Sequence, residues 1–144
     1  MLNVLVVDDS MIMRKKITNV LGNLGHQVVA SKASGLEAIE YCSDNKVPDF
    51  VTMDITMPDM DGIEATKILC KKYPEIKIVM VTSHGQENLV RDAIKNGAKG
   101  YILKPVTQDK IEEIISKVFK INQVKKETKE SISTSDNLLN GNLQ

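Results

Sequence analysis

Neither sign of charge is in surplus, since Lys and Arg number 19 and Asp and Glu also number 19. A protein that holds nucleic acid mainly by neutralising phosphates needs a basic excess, so no nucleic-acid partner is expected. The short basic pairs Lys15-Lys16, Lys71-Lys72 and Lys125-Lys126 read as solvated helix faces. Cysteine is scarce. Cys42 and Cys70 stand alone, with no CxxC and no neighbouring His, so reduced half-buried thiols are expected rather than a disulfide framework or a zinc site. Long apolar runs are missing too, and none approaches the ~18 residues a membrane span needs. The apolar start, residues 1–7, is cut off by Asp8-Asp9 and has neither a basic leader nor a small-residue cleavage site. A cytoplasmic protein without membrane insertion is expected. No internal repeat is evident, and no output domain is expected after residue 121.

What is present is an alternation. With 42% hydrophobic and 26% charged residues, the 144-residue chain has an ordinary globular balance and can bury the core of one domain. Apolar runs at 3–7, 27–31, 50–53, 77–81 and 100–103 read as strands. Between them lie helical patterns at 36–42, 63–73 and 86–96, a first helix from Ser10 to Gly25, and a last helix at 108–120 capped by Thr107. The first helix has the apolar face Ile12, Met13, Ile17, Val20, Leu21 and Leu24. Strands 1, 3 and 4 are solidly apolar, as strands buried on both faces are. Strand 2 is more polar, which suggests an edge. Right-handed crossovers then give an α/β, doubly wound (βα)5 fold with a five-stranded parallel sheet. Residues 1–121 form this domain. Residues 122–144 turn polar and read as a flexible tail.

The stretch from Phe50 to Gly62 organises the chemistry. A buried strand ends at Asp54, and Pro58 and Asp61-Gly62 then stop the extended run, because Pro lacks an amide donor and Gly permits positive φ. Other strand ends carry polar residues as well: Asp8 and Asp9 after strand 1, Thr82 and Ser83 after strand 4, and Lys104-Pro105 after strand 5. In a parallel sheet these ends share one edge, where ligands bind. Three carboxylates within ~4 Å of each other repel by about 4 kcal/mol per pair at an effective dielectric near 20. A hard cation such as Mg2+ relieves that repulsion through oxygen ligands. A carboxylate beside a cation and a lysine is equipped for phosphoryl transfer.

The motifs Val-Val-Asp-Asp-Ser (6–10), Met-Asp-Ile-Thr-Met-Pro-Asp-Met-Asp-Gly (53–62), Val-Thr-Ser (81–83) and Lys-Gly-Tyr-Ile-Leu-Lys-Pro (99–105) resemble those of response regulator receiver domains, over residues 2 to about 121. The resemblance implies the flavodoxin-like strand order 2-1-3-4-5, for which the CheY receivers are themselves a known example. It implies that Asp54 accepts a phosphoryl group from a histidine kinase of the CheA kind. Asp8, Asp9, Asp54 and the backbone carbonyl of Thr56 would hold Mg2+, for which Mn2+ can substitute. Lys104 would pair with Asp54 and later with the phosphoryl group, through a loop with a cis Lys104-Pro105 bond. Thr82 and Tyr101 would be the switch residues. Thr56 and His84 would tune dephosphorylation. The output would appear on the face of helix 4, strand 5 and helix 5.

A stand-alone receiver with Tyr101 is most similar to the chemotaxis regulators that bind a flagellar motor switch protein, and a phosphatase partner is possible there. A phosphorelay intermediate that serves a histidine phosphotransfer protein is the alternative. Such a protein is a signalling phosphoacceptor rather than an enzyme, although it assists its own phosphorylation and dephosphorylation. A Mg-dependent phosphatase of the haloacid-dehalogenase type is disfavoured, because Thr56 stands where that chemistry needs an acid. A flavodoxin-type cofactor binder is disfavoured because Asp8-Asp9 would repel a phosphate.

Overall fold

The computed structural model describes residues 1–120, and the tail expected at 122–144 lies outside the described residues. Strands and helices alternate as β1 (Asn3–Val7), α1 (Met11–Asn23), β2 (Gln27–Lys32), α2 (Gly35–Asp44), β3 (Phe50–Asp54), α3 (Gly62–Lys72), β4 (Lys77–Thr82), α4 (Glu87–Lys95), β5 (Gly100–Leu103) and α5 (Gln108–Phe119). All neighbouring strands pair in parallel, in the order β2-β1-β3-β4-β5. The doubly wound α/β fold expected from the alternation is therefore the fold observed. Met1–Ile111 forms one compact unit, and the described part of α5 from Glu112 onward belongs to a second.

The three interior strands are β1, β3 and β4, the ones with unbroken apolar runs. Leu5, Phe50, Val51, Met53, Ile78 and Met80 are fully buried. Burying an aliphatic side chain of this size stabilises by about 1.5–3 kcal/mol, so these strands hold the fold together. β2 lies at one edge, in keeping with its polar Gln27, Ser31 and Lys32.

Helix starts follow local chemistry. Ser10 accepts a hydrogen bond from Met13 N in α1, Ser34 from Glu37 N in α2, Asp61 from Glu64 N in α3 and Thr107 from Lys110 N in α5. Each satisfies one of the orphan amides of a helix's first turn. One expectation fails in α1. Ile12 is 83% exposed, although helical spacing places it on the apolar face. The buried positions of α1 are Ile17 and Leu21, one turn apart. The sheet covers that line, and Ile12 lies off it.

Candidate functional site

The site stands at the carboxyl edge of the interior strands. Asp8 follows β1 directly and is buried, Asp54 closes β3 and is buried, and Asp9 is exposed. One ligand atom from each of these three residues lies within 4.8 Å of the others. Asp8 is held on one side only. Its Oδ1 accepts from Ser10 N at 2.8 Å, and its carbonyl accepts from Arg14 Nη1 at 2.7 Å. Its Oδ2 is buried with no hydrogen-bond partner. A buried carboxylate oxygen without a donor is costly, and a cation facing it removes the cost. The donor set is all oxygen and carries several negative charges, so it fits a hard divalent ion such as Mg2+.

The crowding shows in proton affinity. Burial pushes the Asp54 carboxyl up to about 6, the Asp8 charge adds to the rise, and Lys104 opposes it. Burial also raises Asp8, against the pull of the Ser10 amide. Lys104 Nζ lies 3.6 Å from Asp54 Oδ1, the one ion pair at this rim among the described residues.

Lys104 is positioned by its backbone. Its N–H donates to the Thr82 carbonyl at 2.8 Å, and the peptide bond to Pro105 is cis. Lys110, which the sequence reading did not single out, donates from Nζ to the carbonyls of Leu103 at 2.8 Å and Pro105 at 3.0 Å. It brackets Lys104 from the first turn of α5. A cation there runs against the helix dipole, and that mismatch was the available signal.

Gly62 has a different reason from the one expected. It does not adopt positive φ. Instead a Cβ at this position would collide with the Asp54 carbonyl oxygen, while Gly62 N donates to Ile55 O at 2.7 Å. The turn after β3 thus folds directly onto the backbone of Asp54. A side chain at position 62 would displace it.

The β4 end holds a second cluster. Thr82 Oγ1 is buried and donates to Gln86 Oε1 at 2.6 Å. The same oxygen accepts from Ser83 N at 2.8 Å, and Gln86 Nε2 donates to Thr56 Oγ1 at 3.2 Å. Gln86 was missed because a glutamine before a helix has no chemical signature in the sequence. His84 is exposed, and Tyr101 is 50% exposed on β5. The structure therefore gathers Asp8, Asp9, Asp54 and Lys104 at one point. It joins Thr82 to Thr56 through Gln86, and it leaves His84 and Tyr101 toward solvent.

Comparison with known proteins agrees with this geometry. The response regulator receiver domain family matches residues 4–116. The chemotaxis protein CheY of Listeria monocytogenes is 45% identical over 120 residues, covering 83% of this chain and 100% of that protein. The chemotaxis protein CheY of Thermotoga maritima is 42% identical over 117 residues, covering 81% of this chain and 97% of that protein. A chain in the crystal structure of the CheX-CheY-BeF3-Mg+2 complex from Borrelia burgdorferi superposes with a TM-score of 0.75 at 36% identity, covering 81% of this chain and 88% of that one. Receivers as a family carry a phosphoaspartate and bind Mg2+ in an acidic pocket. No helix among the described residues is long and apolar enough to cross a membrane. The family match runs from β1 into α5 and so takes in every strand end that builds this rim, and the chain belongs to the response regulator receiver family.

Proposed function

We propose that the chain is a phosphorylation-controlled signalling protein whose phosphoacceptor is Asp54. One observation carries this reading: a buried carboxylate at the end of β3 shares its site with two more acids, one of them with an unpartnered buried oxygen, and with a lysine 3.6 Å away. A carboxylate oxygen of Asp54 attacks the phosphorus of a histidine kinase's phosphohistidine. The new bond is an acyl phosphate, the P–N bond breaks, and the imidazole leaves. A Mg2+ or Mn2+ ion held by Asp8, Asp9, Asp54 and the Thr56 carbonyl would supply charge neutralisation on the phosphoryl oxygens. Lys104 exchanges its pairing with Asp54 for a phosphoryl oxygen. Thr82 donates its hydroxyl proton to another, and Tyr101 moves inward from its exposed position on β5. Thr56 and His84 flank the approach of hydrolytic water.

Within residues 1–111, the readout surface is formed by α4 and β5, where Leu89, Ile94 and Tyr101 are exposed. Relatives named as chemotaxis proteins favour a cytoplasmic chemotaxis regulator that receives its phosphoryl group from a CheA-like kinase and acts on a flagellar motor switch protein. The neighbouring complex of CheX with CheY supports a further protein partner at the phosphorylated state.

Acetyl phosphate with Mg2+ is expected to label the wild-type chain and to leave Asp54→Asn unlabelled, read by intact-protein mass. Equal labelling of the variant would overturn the assignment.

A further inference from the structure

The carboxamide of Gln86 has an unusual set of partners. Its oxygen accepts from the Thr82 hydroxyl at 2.6 Å and from the Ser83 amide at 2.8 Å, and its nitrogen reaches the Thr56 hydroxyl at 3.2 Å. The orientation of the amide is decided by chemistry, because a backbone N–H can only be met by the oxygen. The Thr82 contact is at the short end for an O–H···O bond. Thr82 has one proton to give, and of its two acceptors the Gln86 oxygen at 2.6 Å is far closer than the Ser83 carbonyl at 3.4 Å, so in this state the proton goes to Gln86.

The local backbone is arranged for this contact. Gly85 has φ +90, a conformation that favours glycine, and it turns the chain back so that Gln86 faces Ser83 and Thr82. Gln86 also occupies the N-cap position of α4 yet makes no side-chain cap bond there. A residue at that position ordinarily spends its side chain on the helix amides. Here the side chain is committed to the loop, and α4 starts without that support.

We propose that Gln86 is a latch that holds Thr82 in the resting state and ties it to the start of α4. The inference rests on the reading that Thr82 donates to a phosphoryl group on Asp54. Phosphoryl oxygens accept and do not donate. Thr82 must therefore release the Gln86 oxygen before it can serve them. Release leaves that oxygen with the Ser83 amide alone and loosens the tie between the Thr82 loop and the start of α4, three residues before the exposed Leu89. Gln86 touches no reacting atom and is a positioning residue. It sets the balance between the resting and the phosphorylated arrangement, and through α4 it passes the change toward the readout surface.

The test uses beryllofluoride with Mg2+ as the phosphoryl mimic and calorimetry as the readout. Gln86→Ala is expected to bind the mimic about fivefold more tightly than wild type, the equivalent of one neutral hydrogen bond removed from the resting state. Gln86→Leu, which keeps the side chain's reach without its acceptor, is expected to do the same. In a Thr82→Ala background the Gln86→Ala change is expected to have no effect on affinity, because the bond that distinguishes the two states is already gone and the contacts to Ser83 N and Thr56 Oγ1 do not depend on Thr82. Unchanged affinity in both Gln86 variants would overturn the latch, as would the same gain with and without Thr82. Both of those results require that wild type binds the mimic. A wild-type chain that fails to bind it at all would instead overturn the phosphoacceptor reading, and the latch with it.

Discussion

The two ends of one sheet use polar groups in opposite ways. At the amino end, Asn3 N donates to Asp49 Oδ2 at 2.8 Å while Asp49 N donates back to Asn3 O at 2.9 Å. Leu2 N donates to His26 Nδ1 at 3.1 Å, and Gln27 N donates to Leu2 O at 2.9 Å. Burial and the nearby terminal ammonium push the His26 pKa down, which suits a neutral ring accepting that bond. These groups satisfy one another and close the fold. At the carboxyl end three acids face each other, Asp8 Oδ2 has no donor, and Asp54 is pushed up to about 6. The same parallel architecture thus spends hydrogen-bonding capacity on stability at one edge and leaves it open at the other. What remains open matches a group from outside the chain.

Removing one acid from the open end should separate the two edges most sharply. Asp8→Asn is expected to weaken Mg2+ binding by about tenfold or more, since it takes away a charged ligand oxygen, and to raise the metal-free melting temperature by relieving repulsion. Calorimetric titration with Mg2+ and thermal melts in chelator check the two halves. Undiminished Mg2+ binding would break the comparison.

The pH dependence of stability is the next effect in size. In metal-free protein Asp54 has a folded pKa of about 6, above its ordinary 3.8. Between those values the folded chain holds a proton that the unfolded chain has released, so folding is favoured by acid in that window. Its contribution to stability is therefore present at low pH and lost as pH rises through 6. Relative to Asp54→Asn, wild type is expected to gain melting temperature on going from pH 7 to pH 5, and to be the less stable of the two at pH 7. A difference between the two proteins that does not change with pH would refute the cause assigned here.

The smallest effect belongs to the closed end. Asp49→Ala is expected to cost about 1 kcal/mol of stability, the value of one hydrogen bond, and to leave both Mg2+ affinity and acetyl-phosphate labelling unchanged. Denaturant melts set beside labelling rates test this. A loss of labelling would show that the two ends are coupled.

Much of this was legible in the residues. Apolar runs too long to face water on either side mark β1, β3 and β4 as interior strands. Because parallel strands end on one edge, the linear order of Asp8, Asp9, Asp54 and Lys104 already implied that they meet. The edge position of β2 was visible in its polar composition. Less legible were features that depend on which surface covers a residue. Ile12 is apolar and at helical spacing, yet only the packed structure shows that its side of α1 meets solvent. Gly62 looks like any turn glycine until the Asp54 carbonyl is found against it.

The sequence by itself determined the alternation of strands and helices, the parallel sheet, and the company Asp54 keeps, because those follow from hydrophobic periodicity and from residues placed at strand ends. Only the tertiary structure decided that Lys110 grips the carbonyls on either side of Lys104 and that Gln86 joins Thr82 to Thr56. Thr56 and Gln86 lie 30 residues apart and on different loops. A hydrogen bond across such a distance in the chain depends on a separation of about 3 Å and on its direction, and no pattern of residue types encodes either.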